Sequence, residues 1–245
     1  MPSPSEQPAE SKEITTITPL ITVIIPALDE SEVIGDCLKQ FEGLACVEVL
    51  VVDGGSQDAT PRLVQEANVG ELLTSDLQGR SYQMNTGASH ARGSILLFLH
   101  ADCFLPKSWL SDVRAALSDD EVLGGRFRLG ISEHTVSFRL IAFFSTLRSR
   151  LLGITYGDQA IFVRNRVFED VGGFPPRLIF EDSEFCDDLA RKGRFVLTDS
   201  VVISSSRRWR ECGVLWTVLR MWFLRLLYCL SVSDERLNRL YRNVR

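Results

Sequence analysis

The 245-residue sequence contains no CxxC pair, and its six cysteines (Cys37, Cys46, Cys103, Cys186, Cys212 and Cys229) follow no regular spacing. That argues against both a zinc centre and a disulfide framework, and a reducing cytosol is the expected compartment. No GxGxxG run opens a helix after a strand-like stretch, which disfavours a dinucleotide oxidoreductase. Residues 1–18 are polar and rich in Pro, Ser and Glu, without the basic start and apolar centre of a signal peptide. They read as a disordered tail on a protein that stays in the cytoplasm. No internal repeat is found, and a basic excess is missing too. The formal charge is −5, which disfavours a nucleic-acid partner even though basic residues gather between positions 191 and 245.

A long apolar run free of charge is also lacking. Residues 214–232 come nearest, but Arg220 and Arg225 fall inside them, and each arginine costs about 2.5–3.5 kcal/mol at the centre of a bilayer. Spanning is therefore disfavoured. An interfacial helix with snorkelling arginines, peripheral on the inner face of the cell membrane, and a homodimer face both remain open. Residues 134–152 alternate Val136, Leu140, Phe143, Phe144, Leu147 and Leu151 with arginines in the pattern of an amphipathic helix, whose commoner use is packing against a core.

Short β-branched or leucine-rich runs, each with acid groups at or just beyond its carboxyl end, dominate the first hundred residues. Residues 21–25 lead to Asp29-Glu30, residues 47–52 to Asp53, and residues 95–99 to His100-Ala101-Asp102. Runs so short and apolar predict strands buried on both faces, and helical spacing between them predicts a mainly parallel central sheet flanked by helices, an α/β fold. Ser31 is read as the first helix's N-cap and Thr60-Pro61 as the start of the second. A third helix is predicted over 80–92, a fourth from Pro106, and a strand of different character at 124–129. In parallel sheets ligands collect beyond the carboxyl ends of the strands. Acid groups gathered there need a divalent cation or hydrogen-bond donors to offset their repulsion.

A sugar nucleotide offers a base, a ribose, a diphosphate and an anomeric carbon, and the chain has a candidate for each. Asp53 can accept from a base or ribose while the loop Pro26-Ala27-Leu28-Asp29-Glu30 walls the base, the rival reading being an Asx turn before Gly54. Arg80, at a helix start, can face phosphates or simply lie on the surface. His100 and Asp102, two apart on an extended segment, point the same way, and Asp102 offers a hard oxygen to Mg2+ or Mn2+, with a helix cap as its alternative. His100 then reads as a ribose or metal-supporting group. Asp158 and Gln159 precede another apolar run and can lie over an acceptor. Glu181-Asp182 opens a helix ending near Lys192-Gly193, where Asp182 is the choice for a general base. Acidic first turns also complement a helix dipole without catalysis.

In this order the pieces resemble the family-two glycosyltransferases of the GT-A fold, and most closely a short, soluble-looking bacterial subgroup. The resemblance runs from about residue 18 to 245. It rests on Val23-Ile24-Ile25-Pro26-Ala27-Leu28-Asp29-Glu30, Val51-Val52-Asp53-Gly54-Gly55-Ser56, Gly79-Arg80 with Gln83-Met84-Asn85-Thr86-Gly87, and Leu97-Phe98-Leu99-His100-Ala101-Asp102. Gly157-Asp158-Gln159, Gly172-Gly173-Phe174, Glu181-Asp182 and Ser205-Ser206-Arg207-Arg208-Trp209 complete it.

The resemblance implies a catalytic domain over 19–205 and an amphipathic helical extension over 206–245. It implies a nucleoside-diphosphate sugar donor bound by Pro26, Ala27, Glu30 and Asp53, with Arg80, Asn85, His100, Asp158 and Gln159 around the substrates. It further implies Mn2+ or Mg2+ on Asp102, base catalysis by Asp182 with Glu181, and inversion at the anomeric carbon of the sugar passed to a hydroxyl acceptor. Arg208 and Trp209 look like part of the arginine-tryptophan motif of membrane-linked relatives. His100 is the departure, because a carboxylate usually begins that aspartate-any-aspartate motif. The arginine-rich, aromatic final segment points to a lipid-linked acceptor. The alternatives are a sugar nucleotidyltransferase, disfavoured by the absence of a glycine-rich basic loop after the first strand, and a non-catalytic nucleotide-sugar-binding scaffold on a membrane.

Overall fold

The structure, a computed structural model, describes residues 20–133 and 135–242. The expected 1–18 tail and His134 lie outside them. Strand β1 (Ile21–Ala27) is buried at every position, and β2 (Val47–Asp53) at all but its first. Their β-branched side chains fit a pleated layer covered on both sides. Helix α1 (Ile34–Lys39) connects them, and α2 (Thr60–Ala67) leads to the edge strand β3 (Glu71–Thr74). Helix α3 (Arg80–His90) then feeds β4 (Ile95–Phe98). The first four strands are all parallel, in the order β3-β2-β1-β4.

The second half of the sheet is mixed. After β5 (Cys103–Phe104) and α4 (Trp109–Ala116) come the long β6 (Val122–Ile131) and α5 (Val136–Leu152). A 3-10 turn at Gly157–Gln159, β7 (Ile161–Arg164), α6 (Asn165–Val171), α7 (Glu181–Lys192) and β8 (Arg194–Ser204) follow. The chain closes on α8 (Arg207–Cys212), α9 (Val214–Cys229) and α10 (Asp234–Arg242). The full strand order is β3-β2-β1-β4-β7-β6-β8-β5. β7 lies antiparallel to β4 and β6, β8 parallel to β6, and β5 antiparallel to β8.

Two apolar layers sandwich the sheet. One carries Ile34, Leu38, Val64, Trp109 and Val113 from α1, α2 and α4; the other carries Met84, Phe168, Phe185 and Leu189 from α3, α6 and α7. A smaller cluster of Ile179, Phe180, Leu224 and Leu237 ties α9 and α10 to the segment before α7.

Several expectations need correction. Ser31 does not cap α1, which begins at Ile34; its N–H goes to Asp58 Oδ2 instead (3.0 Å). Thr60 is the first residue of α2 rather than its cap, because its hydroxyl accepts the Glu30 N–H (2.8 Å). In both cases a bond between the β1 and β2 loops fixes the residue in place, and at Thr60 it takes the hydroxyl that a local cap would have used. β3 went unread because its four residues are half-exposed and carry no buried run.

The largest departure is α5. Val136, Leu140, Phe143 and Phe144 are all more than half exposed, with Phe143 at 60%. The inward face carries Ser145, Thr146 and Ser149 instead. Polar chemistry inverts the helix: the buried Arg126 donates from Nε to Ser149 Oγ (2.7 Å) and from Nη2 to Ser149 O (2.8 Å). A guanidinium held away from water needs such oxygen acceptors, and an apolar residue at 149 offers none from its side chain.

Candidate functional site

The site begins where β1 loses a neighbour. β4 pairs with β1 only as far as Ile24 opposite Phe98, whereas β2 continues to Asp53 opposite Ala27. Pro26, lacking an N–H, therefore sits where β1 has a partner on one side alone, and this central strand tolerates it. Beyond that point the β1 and β4 ends part, a crevice of the kind that ligands occupy in such sheets.

Pro26 and Ala27 are strand residues rather than loop residues. Gln83 Nε2 fixes their exit by donating to Ala27 O (2.7 Å) and Val52 O (2.8 Å), a clamp from α3 onto both strand ends. Asp29 adopts φ +54°, its N–H bonded to Ser56 Oγ (2.9 Å) and its carboxylate accepting from Gln57 N (2.8 Å). Asp53 closes the turn that follows it, accepting from Gly55 N (3.0 Å), Ser56 N (3.1 Å) and Ser56 Oγ. The Asx-turn reading of Asp53 is thus present in the structure, and it holds the carboxylate at the crevice wall. Its two oxygens take four hydrogen-bond contacts from Gly55 and Ser56.

Glu30 is paired with a residue that the sequence offered only as part of the run 205–209, without a role of its own. Arg207, at the start of α8, reaches Glu30 Oε2 (2.9 Å) and Glu32 Oε2 (3.2 Å). Burial works against the Arg207 guanidinium, but Glu30, Glu32 and the field of Asp102 raise its pKa overall. Its partner lies 177 residues away in sequence, so no local signal distinguished it from its neighbours. Arg208 stands on the same helix, its side chain outside the described part of the structure. Trp209 meets the edge of Phe138 at a centroid distance of 6.5 Å, on the α5 side.

His100 and Asp102 follow β4 in a turn, not on an extended strand. The turn still brings ligand atoms of His100, Asp102 and Cys103 within 4.8 Å of one another. Burial, then Asp102, push the Cys103 thiol well above its ordinary range, and its Sγ donates to Asp102 Oδ1 (3.6 Å). The imidazole and carboxylate make a partial set for a divalent cation whose other oxygens come from substrate phosphates. Asp102 is also anchored through its carbonyl, which accepts Ser205 N–H (3.1 Å), so β8 and the His100 turn move together.

Asp182 lies in the first turn of α7 and is 6% exposed. One oxygen accepts Gly157 N–H and the other accepts Ser183 N–H (2.6 Å). A Cβ placed on Gly157 would lie 2.6 Å from His100 Nε2 and 3.1 Å from Asp182 Oδ2. The glycine is required because imidazole and carboxylate converge on the same point. Asp158 follows it in the 3-10 turn.

Arg80 opens α3 and is paired with an acid. Its Nε lies 2.9 Å from Glu181 Oε1, so the guanidinium serves that buried acid. Glu181 has its carboxyl pKa raised, chiefly by burial; Arg80 opposes the shift and Asp182 adds to it. Asn85 and Gln159 are also committed to the backbone. Asn85 holds Phe174 through its N–H and its carbonyl (both 2.9 Å), and the fully buried Gln159 donates to Phe127 O (3.1 Å). These residues shape the site from behind.

Residues 22–172 match the family model described as Glycosyl transferase family 2. Glycosyltransferase AglE of Haloferax volcanii is 33% identical over 183 residues, covering 68% of this chain and 59% of its own length. A PGL/p-HBAD biosynthesis glycosyltransferase of Mycobacterium bovis is 32% identical over 164 residues, 64% of this chain and 63% of its own. The chain thus spans about three-fifths of the length of these relatives. Among solved structures, a mannosyltransferase of Pyrobaculum calidifontis in complex with GDP-Man and Mn2+ superposes with a TM-score of 0.66 at 21% identity, over 93% of this chain and 71% of that one. At that identity the likeness is one of fold, and the fold is GT-A.

Proposed function

Because the chain belongs to glycosyl transferase family 2, we propose that it transfers a sugar from a nucleoside-diphosphate donor to a hydroxyl acceptor with inversion at the anomeric carbon. The observation that carries the reading is the convergence of Asp182 on Gly157 with His100, which belongs to the same turn as Asp102. The donor's base and ribose are assigned to the wall formed by Pro26, Ala27, Glu30 and Asp53, which Gln83 and Arg207 hold rigid. Asp102, with His100, is assigned the divalent cation. When bound, Mn2+ or Mg2+ supplies positive charge to a departing diphosphate.

Asp182 is assigned the acceptor proton. Its two backbone hydrogen bonds fix its orientation, and each oxygen retains a lone pair for an incoming hydroxyl. Glu181 is held by Arg80 behind it and orients the first turn of α7. Asp158 lies near enough to Arg80 to act on its charge and completes the acidic floor. The domain from 19 to 205 carries this chemistry in our reading, and the helices from 206 onward form an extension facing a lipid-linked acceptor. No helix among the described residues is long and apolar enough to cross a membrane. The apolar face of α9 is therefore assigned to lie on the cytoplasmic membrane surface, with dimerisation as the competing outcome of a flotation assay.

The test is nucleotide release from a panel of UDP- and GDP-sugars with Mn2+. Asp182→Asn is expected to lower turnover by about 10²–10⁴-fold while nucleotide affinity stays unchanged. Asp102→Ala is expected to abolish the effect of the cation on nucleotide binding. Full turnover in Asp182→Asn, or metal-dependent nucleotide binding with no release in the native chain, would overturn the assignment.

A further inference from the structure

The turn after β4 gathers three different donor chemistries. Ligand atoms of His100, Asp102 and Cys103, a nitrogen, an oxygen and a sulfur, lie within 4.8 Å of one another. Backbone bonds pin this turn in place. Cys103 N–H donates to His100 O (3.0 Å), Ser205 N–H to Asp102 O (3.1 Å), and Gln40 Nε2 to Cys103 O (3.1 Å). The side chains are oriented as well. Cys103 Sγ donates to Asp102 Oδ1 (3.6 Å), so the sulfur and the carboxylate already face each other. The imidazole turns its Nε2 edge toward Asp182, because the place of a Cβ on Gly157 lies 2.6 Å from Nε2 and 3.1 Å from Asp182 Oδ2. Metal-bound imidazoles are commonly held by a carboxylate at their second ring nitrogen in this way.

The donor set decides which ion it suits. Mg2+ asks for an octahedron of oxygens and keeps several waters, and Mn2+ stands lowest among the first-row divalent ions in affinity for such sites. Zn2+ binds nitrogen, oxygen and sulfur together at about 2.0–2.3 Å, and three protein donors leave its fourth position open. We propose that His100, Asp102 and Cys103 form a zinc site on protein donors alone, with the fourth position taken by water or a phosphate oxygen. As the S–Zn bond forms, the S–H bond breaks and its proton passes to the buffer. His100 and Asp102 are half-buried and Cys103 is buried, so an ion enters past the first two and meets the sulfur last. Zinc binding stands independently of the transferase reading. Its consequence rests on that reading: Zn2+ and the Mn2+ or Mg2+ of the donor complex compete for Asp102, and a zinc-loaded chain is blocked. No CxxC pair announces the site, since one turn supplies every protein donor.

The experiment titrates the full chain, metal-free and without nucleotide, with Zn2+, with Mg2+, and with Co2+ as a spectroscopic stand-in for Zn2+. One Zn2+ per chain is expected to bind in the presence of a large excess of Mg2+, and Co2+ should give a near-ultraviolet thiolate-to-metal band. Cys103→Ser should remove that band and lower Zn2+ affinity by at least about 100-fold, the upper end of what losing an outer partner of a metal ligand costs, while Mn2+-dependent UDP binding is unchanged. Absence of the band in the native chain overturns the proposal without any variant, whatever Cys103→Ser does to folding. A band that survives Cys103→Ser places the metal on another cysteine and overturns it too, as does displacement of Zn2+ by an equal concentration of Mg2+. Undiminished Mn2+-dependent nucleotide release from the zinc-loaded chain overturns the competition for Asp102. Release in Mn2+ without a thiolate band sinks the zinc site alone, and a thiolate band without release from any donor sinks the transferase reading alone.

Discussion

Asp58 accepts hydrogen bonds from the backbone N–H of Ser31 (3.0 Å) and of Thr60 (2.9 Å), tying the loop after β1 to the loop after β2. Desolvation opposes ionisation, yet those bonds hold its carboxyl well below the usual carboxylate range. A depressed folded-state pKa stabilises the folded chain fully above the unfolded value, near pH 4, and is lost as pH falls through the folded value. Asp58→Asn should therefore reduce stability at neutral pH, with the difference from the native chain shrinking steadily below about pH 4. Urea midpoints of both proteins across that range check it, and a constant difference would assign the clamp to packing rather than charge. The position of the acids at the strand ends was legible because each follows a buried apolar run. Arg207 and Gln83 were not, since their value lies in partners that only folding brings near.

Helix α3 packs on β1 and β2 through a point with no room to spare. A Cβ on Gly87 would lie 2.4 Å from Ile24 Cγ2 and 3.1 Å from Val52 Cγ2, both side chains fully buried in strands. In an exposed helix Gly→Ala gains about 1 kcal/mol, but overpacking a close-packed layer costs about 1–3 kcal/mol. Gly87→Ala is expected to come out destabilising, and because α3 also carries Gln83 and Arg80, nucleotide affinity should fall with it. Urea denaturation with parallel nucleotide titration tests both; a stabilised variant would mean that α3 sits further from the sheet. α3 itself was readable from its glycine boundaries and spacing. The antiparallel insertion of β7 between β4 and β6 was not, because an apolar run states burial without stating direction.

Hydrophobic spacing alone also misplaced α5, and the reversal shapes the molecule's outer surface. The spacing that predicts core packing is real, but Arg126 and Gln159 draw Ser149 inward, leaving Phe143 and Phe144 outside with an edge-on ring contact at 5.5 Å. Trp216, Leu219, Trp222, Phe223 and Leu226 of α9 are more than half exposed as well. Two consequences separate a surface role from a core role. Truncating two core phenylalanines costs about 3–5 kcal/mol each, whereas exposed positions change stability by about 0.5 kcal/mol or less. The double substitution Phe143→Ser with Phe144→Ser should leave the urea midpoint nearly unmoved and lower the fraction of protein floating with vesicles rich in anionic lipid. Exposed Arg139 and Arg150 on the same helix add a salt-sensitive part, so flotation of the native chain should weaken as ionic strength rises and the Debye length shortens to about 3 Å near 1 M. A large stability loss would return α5 to the core, and unchanged flotation would take it off the membrane.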